Sequence, residues 1–299
     1  MPLTFRPLHP IFAAEVSPVD LRTVNDRETL SQIRAGMDEY AVLVFREQSL
    51  TIQEQLAFAQ RFDGSLHTKT GMSAIAQNRL GTEALSDVSN VGPDGAILAQ
   101  DDRRRAFSLG NRLWHTDASF QDPAGRYSML YACVVPPVRA DTQFADMRAA
   151  YDALDDDIKK TIEGLSAHHS IAYSRQVLGF KLSDDEQEKL KGAVHPIVRV
   201  NQRTKRRSVY VASHANRIIG WPVAESRLLI WELTSRATQP YLVYSHEWRT
   251  GDLVIWDNLA TMHRATPFED ARYHRELRRA TTLDLPYEFE SLPLTAAAA

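Results

Sequence analysis

The sequence predicts a β core with flanking helices, folded as one domain over residues 1–299. Three observations predict it. Short apolar or β-branched runs recur at 41–45, 127–135, 142–146, 197–200, 208–212, 252–256 and 278–283. Amphipathic stretches with helix-start signals lie between them. No linker or repeat divides the 299 residues, and the only low-complexity tract is 296–299.

Each element has its own reason. Asp26 precedes a stretch in which Leu30, Ile33 and Met37 fall on one helical face. The run Ala41-Val42-Leu43-Val44-Phe45 is short and uniformly apolar, as a buried strand requires. Thr51 followed by Glu54 is a capping box, and Leu56, Ala59 and Phe62 share a face beyond it. From 64 to 110 the periodicity dissolves into polar residues and glycines, with one strand-like island at 85–91. An insert of that length is either a functional lid loop or a mobile surface loop. Apolar spacing at Leu154, Ile158, Ile162 and Leu165 predicts one helix over 149–165. Ser183 with Glu186 is a second capping box, and 225–237 reads as a helix.

Composition narrows the function. Hydrophobic residues make up 43% and charged residues 24%, so a core is affordable and global disorder is excluded. The formal charge of −3 lacks the basic excess of a nucleic-acid binder. The single cysteine, Cys133, excludes an internal disulfide and Cys-rich zinc or iron–sulfur sites. Residues 1–16 lack the apolar stretch of a secretory signal, and no run is long enough to span a membrane. The expectation is a cytoplasmic protein with no nucleic-acid or membrane partner. Dinucleotide, P-loop, nucleophile-elbow and zinc-protease motifs are all absent.

The positive signal begins at Trp114-His115-Thr116-Asp117. Residues two apart on an extended chain face the same side, so His115 and Asp117 can reach one ion. A lone His-x-acid pair is weak evidence, since His274-Arg275-Glu276 repeats it. Weight comes from Trp256-Asp257-Asn258 at a strand end, with His263 following. Further on, Arg275, Leu277 and Arg279 alternate to one strand face. Inward-facing cations need anions to meet them. Two His, one carboxylate and nearby arginines fit mononuclear iron(II) with open positions. The same three ligands also suit zinc and water in a hydrolase, although zinc leaves the arginines unexplained.

On these residues the chain resembles the iron(II)/2-oxoglutarate-dependent dioxygenases of the TauD/TfdA family, and within it the 2,4-dichlorophenoxyacetate branch. Pro7-Leu8-His9-Pro10-Ile11-Phe12, Val42-Leu43-Val44-Phe45-Arg46, residues 113–130 and 141–154, and Arg275-Glu276-Leu277-Arg278-Arg279-Ala280-Thr281-Thr282-Leu283 all carry the likeness. It departs at Ala96, where the branch has a lysine, and at Leu259, where the family has an arginine.

The resemblance implies a double-stranded β-helix (jelly roll) with helices outside and residues 64–110 as a lid. It implies Fe(II), 2-oxoglutarate and O2, with His115, Asp117 and His263 as metal ligands. Thr142 and Arg275 would hold the far carboxylate of 2-oxoglutarate. Arg279, Lys69 and Asn90 would meet a small anionic substrate. An aryloxyalkanoate is the expected substrate. A sulfonate, sulfate or other carboxylate, a zinc hydrolase, and a non-catalytic jelly-roll binding protein stand as rival readings. Assembly into a homo-oligomer is compatible with all of them.

Overall fold

The computed structural model describes residues 2–68, 72, 75–76 and 78–286. The chain opens with β1 (Thr4–Pro7), β2 (Ala14–Ser17), α1 (Arg27–Tyr40), β3 (Val42–Phe45) and α2 (Ile52–Asp63). The insert holds β4 (Ser86–Asp87) and α3 (Arg103–Ser108), with a single tight turn at Leu109–Arg112. Then come β5 (Gly125–Val134), β6 (Thr142–Asp146), α4 (Met147–Asp152), α5 (Asp156–Ile162), β7 (Ser166–His169), α6 (Ile171–Val177) and α7 (Asp184–Lys189). The rest is β8 (Ala193–Pro196), β9 (Val198–Val200), β10 (Arg207–Val209), β11 (Ala215–Ile218), α8 (Val223–Ala237), β12 (Val243–His246), β13 (Leu253–Asp257), β14 (Thr261–Ala265) and β15 (Glu276–Leu283).

The two predicted capping boxes are present, and Asp26 caps α1 as well. Asp26 accepts from the Thr29 amide at 2.8 Å, and the Thr51–Glu54 and Ser183–Glu186 boxes both close. The single helix expected over 149–165 is instead two, α4 and α5. Asp155 takes an extended conformation at the start of α5, and its acidic successors begin a new helix there. The island at 85–91 shortens to β4, which pairs with β15 through Asp87 and Ser86. The charged run after Asp101 forms α3, because the Asp102 side chain accepts from the Arg104 amide.

A seven-stranded sheet runs in the order β1-β2-β3-β13-β5-β15-β4, and a three-stranded sheet in the order β12-β6-β14. Strand β13 explains the apolar run read from sequence. Leu253 and Ile255 pack with α1 and α2 side chains such as Ile33 and Phe58. Val254 and Trp256 point the other way, into a cluster with Phe144 and Trp248. Both faces are covered, so no polar alternation survives. Each of these side chains contributes about 1.5–3 kcal/mol by leaving water. Phe144 belongs to β6, so that second cluster lies between the two sheets. The site sits at one end of this inter-sheet core.

Candidate active site

His115 lies outside the named strands but bridges to β14. Its amide donates to the His263 carbonyl at 2.9 Å, and the His263 amide returns a bond of 2.8 Å. This antiparallel bridge brings together two histidines far apart in sequence. Asp117 follows two residues later on the same side. One ligand atom from each of His115, Asp117 and His263 lies within 4.8 Å of the others, and all three residues are buried. Asp117 Oδ1 is 3.9 Å from His115 Nε2, and Oδ2 is 3.7 Å from His263 Nε2.

The donor set fits a divalent metal. His115 Nδ1 lies 2.8 Å from the Leu113 carbonyl, which fixes the proton on Nδ1 and turns the Nε2 lone pair to the site. Burial pushes the His115 imidazole down to about 4 and holds His263 well below its ordinary value. Both are therefore neutral ligands at neutral pH. Burial works to raise the Asp117 carboxyl, but the Arg279 cation and the imidazoles outweigh it and hold it below the usual carboxylate range.

Asp117 is held by a buried network. Ser128 of β5 donates to its Oδ2 at 2.7 Å. Asn258 Nδ2 donates to Ser128 Oγ at 2.9 Å, while Asn258 Oδ1 accepts from the Asp117 amide at 3.0 Å and from Trp256 Nε1 at 3.0 Å. The Trp-Asp-Asn turn therefore carries the hub that orients the carboxylate.

Arg279 and Arg175 line the cleft at the site. Arg279 of β15 forms an ion pair with Asp117, Nη1 to Oδ1 2.5 Å. Arg275 is buried, and among the described residues no side chain or carbonyl takes its guanidinium; burial pushes its pKa down to about 10. The acid whose charge reaches it is Asp141, next to Thr142. Trp248 Nε1 donates to Thr142 Oγ1 at 3.0 Å, which leaves the Thr142 hydroxyl proton for another acceptor. A cleft opens over the metal set, with His115, Asp117, Arg279, Phe107, Phe120 and Arg175 in its walls. A concave cleft that combines apolar walls with a few convergent polar and charged groups is how small-molecule sites are built.

The comparisons with known proteins agree with this geometry. The family model described as "Taurine catabolism dioxygenase TauD, TfdA family" matches residues 4–281. The chain belongs to the TauD/TfdA family. An alpha-ketoglutarate-dependent 2,4-dichlorophenoxyacetate dioxygenase from Cupriavidus pinatubonensis is 45% identical over 95% of this chain and 99% of the relative. An (S)-phenoxypropionate/alpha-ketoglutarate-dioxygenase from Sphingobium herbicidovorans is 38% identical over 88% of this chain and 89% of its own. The crystal structure of AAD-2 with Mn(II) and N-oxalylglycine superposes with a TM-score of 0.89, at 42% identity over 95% of this chain and 98% of that one. This TauD/TfdA member is therefore a metal- and 2-oxoglutarate-dependent dioxygenase on a jelly roll.

The other predicted residues fall as follows. Lys69 lies outside the described residues. Asn90 spends its side chain on backbone: Nδ2 donates to the carbonyls of Asp270 and Tyr273 at 2.7 and 2.8 Å, and Oδ1 accepts from the Arg275 amide at 2.8 Å. It fixes the segment that delivers Arg275 and does not line the cleft with Arg279. The sequence reading singled out the Trp-Asp-Asn turn but not the role of Asn258, and it missed Arg175, whose short helix α6 carries no strong period.

Proposed function

We propose that the protein hydroxylates small aryloxyalkanoates, such as 2,4-dichlorophenoxyacetate, in a cytoplasmic reaction dependent on Fe(II), 2-oxoglutarate and O2. His115, Asp117 and His263 would hold the iron. When bound, iron with 2-oxoglutarate and O2 supplies the oxidation: one oxygen atom goes to succinate as CO2 leaves, and the other replaces a substrate hydrogen as hydroxyl. On the ether carbon of an aryloxyacetate this gives a hemiacetal, which collapses to a phenol and glyoxylate.

The chain's own residues do the binding. The Arg275 guanidinium, buried without an acceptor among the described residues, suits the far carboxylate of 2-oxoglutarate, with the Thr142 proton as a second donor. Arg279 stands at the cleft beside Asp117 and would receive the substrate carboxylate. The aromatic walls, Phe107 and Phe120, suit a ring. Residues 64–110 would act as a lid, because Met72 and Val88 of that stretch line the same cleft.

The observation that carries this reading is the juxtaposition of the His-Asp-His set with Arg279 in one cleft. The likeness to 2,4-dichlorophenoxyacetate and phenoxypropionate dioxygenases supports the substrate class. The test is succinate release across aryloxy acids, sulfonates, sulfate esters and amino acids with Fe(II) or Zn(II). Turnover should be greatest with an aryloxy acid and need iron and 2-oxoglutarate. Preference for a sulfonate would replace the substrate assignment, and zinc-supported hydrolysis without succinate would replace the reaction.

A further inference from the structure

Arg175 is 3% exposed, yet among the described residues it meets no carboxylate. Its Nη1 donates to Ser174 Oγ at 3.1 Å and its Nη2 to Asn111 Oδ1 at 3.2 Å, while Nε is buried without a partner. The guanidinium stacks on Phe107 with 4.6 Å to the ring centroid. Gly110 makes room for it, since a Cβ there would collide with the guanidinium. Ser174 is itself fixed, donating to the Ile171 carbonyl at 2.8 Å and lying 2.9 Å from His214 Nδ1. Among the described residues the cation is thus preorganised by neutral groups alone, and burial lowers its pKa to about 10.

Such a group is costly. A buried charge left without a counter-charge loses its hydration and gains no ion pair in return. Two other arginines meet a protein carboxylate instead: buried Arg148 pairs with Asp146 at 2.8 Å and half-buried Arg126 with Asp257 at 2.9 Å. Arg279, in the same cleft as Arg175, has Asp117. Arg175 lines that cleft from a separate element, α6, one turn on from Ile171, which lines it too. A substrate with a single acidic head on Arg279 leaves Arg175 bare.

We propose that Arg175 is a second anion-recognition point of the cleft, and that the cleft accepts an aryloxy acid carrying another ionised group, a carboxylate, on its ring. The proposal rests on the aryloxy-acid reading for the position of the head group. The ring stacks within the aromatic walls, its oxyacetate head meets Arg279, and the ring carboxylate takes the Nη hydrogens of Arg175 not used by Ser174 and Asn111. Charged hydrogen-bonded contacts of this kind discriminate strongly against a neutral isostere.

The test is equilibrium titration of the full chain, loaded with Mn(II) and 2-oxoglutarate without oxygen, with 3- and 4-carboxyphenoxyacetate and their ring carboxamides. Wild type should bind the better carboxylate isomer about tenfold or more tighter than its carboxamide. Arg175→Gln should bring that ratio close to one. A wild-type ratio near one for both isomers, or an unchanged ratio in Arg175→Gln, overturns the proposal. The ratio is taken within one protein, so loss of packing cancels. Should the Gln variant not fold, Arg175→Lys keeps the charge but loses the fork; its ratio should drop several-fold, and an undiminished one is equally fatal. Binding is read apart from turnover, so a protein that binds the diacid but releases no succinate with any aryloxy acid would refute the aryloxy-acid substrate reading while leaving Arg175 in place.

Discussion

Asn258 Oδ1 accepts the backbone N–H of Asp117 at 3.0 Å, and the same side chain donates to the serine that holds the Asp117 carboxylate. One amide therefore fixes both the main chain and, through Ser128, the side chain of a metal-binding acid. Partners that orient metal ligands are typically worth 10–100-fold in metal affinity. Asn258→Ala should weaken Mn(II) or Fe(II) binding by about that factor, read by equilibrium titration, with the helical circular dichroism little changed. Undiminished metal affinity would show that the Asp117 geometry does not depend on this hub.

Arg275 and Thr142 are supported from behind in different ways. Asn90 bonds the Arg275 amide, and Trp248 orients the Thr142 hydroxyl. A lysine cannot reproduce the planar fork of arginine on a carboxylate. Arg275→Lys should raise the KM for 2-oxoglutarate about tenfold or more while moving that for the aryloxy acid far less. Asn90→Ala should shift the same constant in the same direction by a smaller factor, since it disturbs only the backbone that presents Arg275. If Asn90→Ala instead raised the KM for the aryloxy acid alone, the residue would belong to the substrate pocket after all.

What was legible in the sequence follows from periodicity. His115 and Asp117 were readable because a spacing of two on extended chain puts both on one side, and β13 because its unbroken apolar run needs cover on both faces. Strands β1, β2, β7 and β8 were not, because they are short and carry exposed or polar residues. The break between α4 and α5 was hidden by Leu154, which keeps the helical spacing of apolar residues while sitting outside both helices. The hub role of Asn258 and the isolation of Arg175 were unreadable for a different reason. Both depend on which distant groups reach the side chain, and one sequence does not encode those distances locally.

Asp63, at the end of α2, gives a pH signature of stability. Burial raises its carboxyl to about 6, although Thr282 Oγ1 donates to it at 2.7 Å and Arg34 lies 3.4 Å away. The folded state thus holds this proton more tightly than the unfolded chain. Its stabilising contribution is complete below about pH 4 and is lost as pH rises through about 6. Asp63→Asn mimics the protonated acid and should gain stability relative to wild type between pH 4 and 8, by roughly 1–3 kcal/mol. Denaturant unfolding of both proteins across that range is the measurement. A difference independent of pH would mean that Asp63 titrates normally.

Arg279 decides the charge of the substrate. It forms an ion pair with Asp117 at 2.5 Å, its Nε is buried without a partner among the described residues, and it lines the cleft. Among the described residues one acidic group meets it, and that carboxylate is also the one placed to bind metal. Once Asp117 shares its charge with a divalent ion, Arg279 is less fully compensated, and a substrate carboxylate restores the balance. A neutral substrate leaves the cation under-compensated, so wild type should strongly favour an aryloxyacetate over its methyl ester in kcat/KM. A charged hydrogen-bonded contact of about 1.5–3 kcal/mol corresponds to roughly 10–100-fold. Arg279→Gln should lose most of that preference. The variant also releases Asp117 from its partner and will change metal affinity, so the acid-to-ester ratio within each protein is the quantity to compare, at saturating metal. Equal turnover of acid and ester by wild type would remove Arg279 as the anchor and leave the aryloxy-acid assignment without its main physical support.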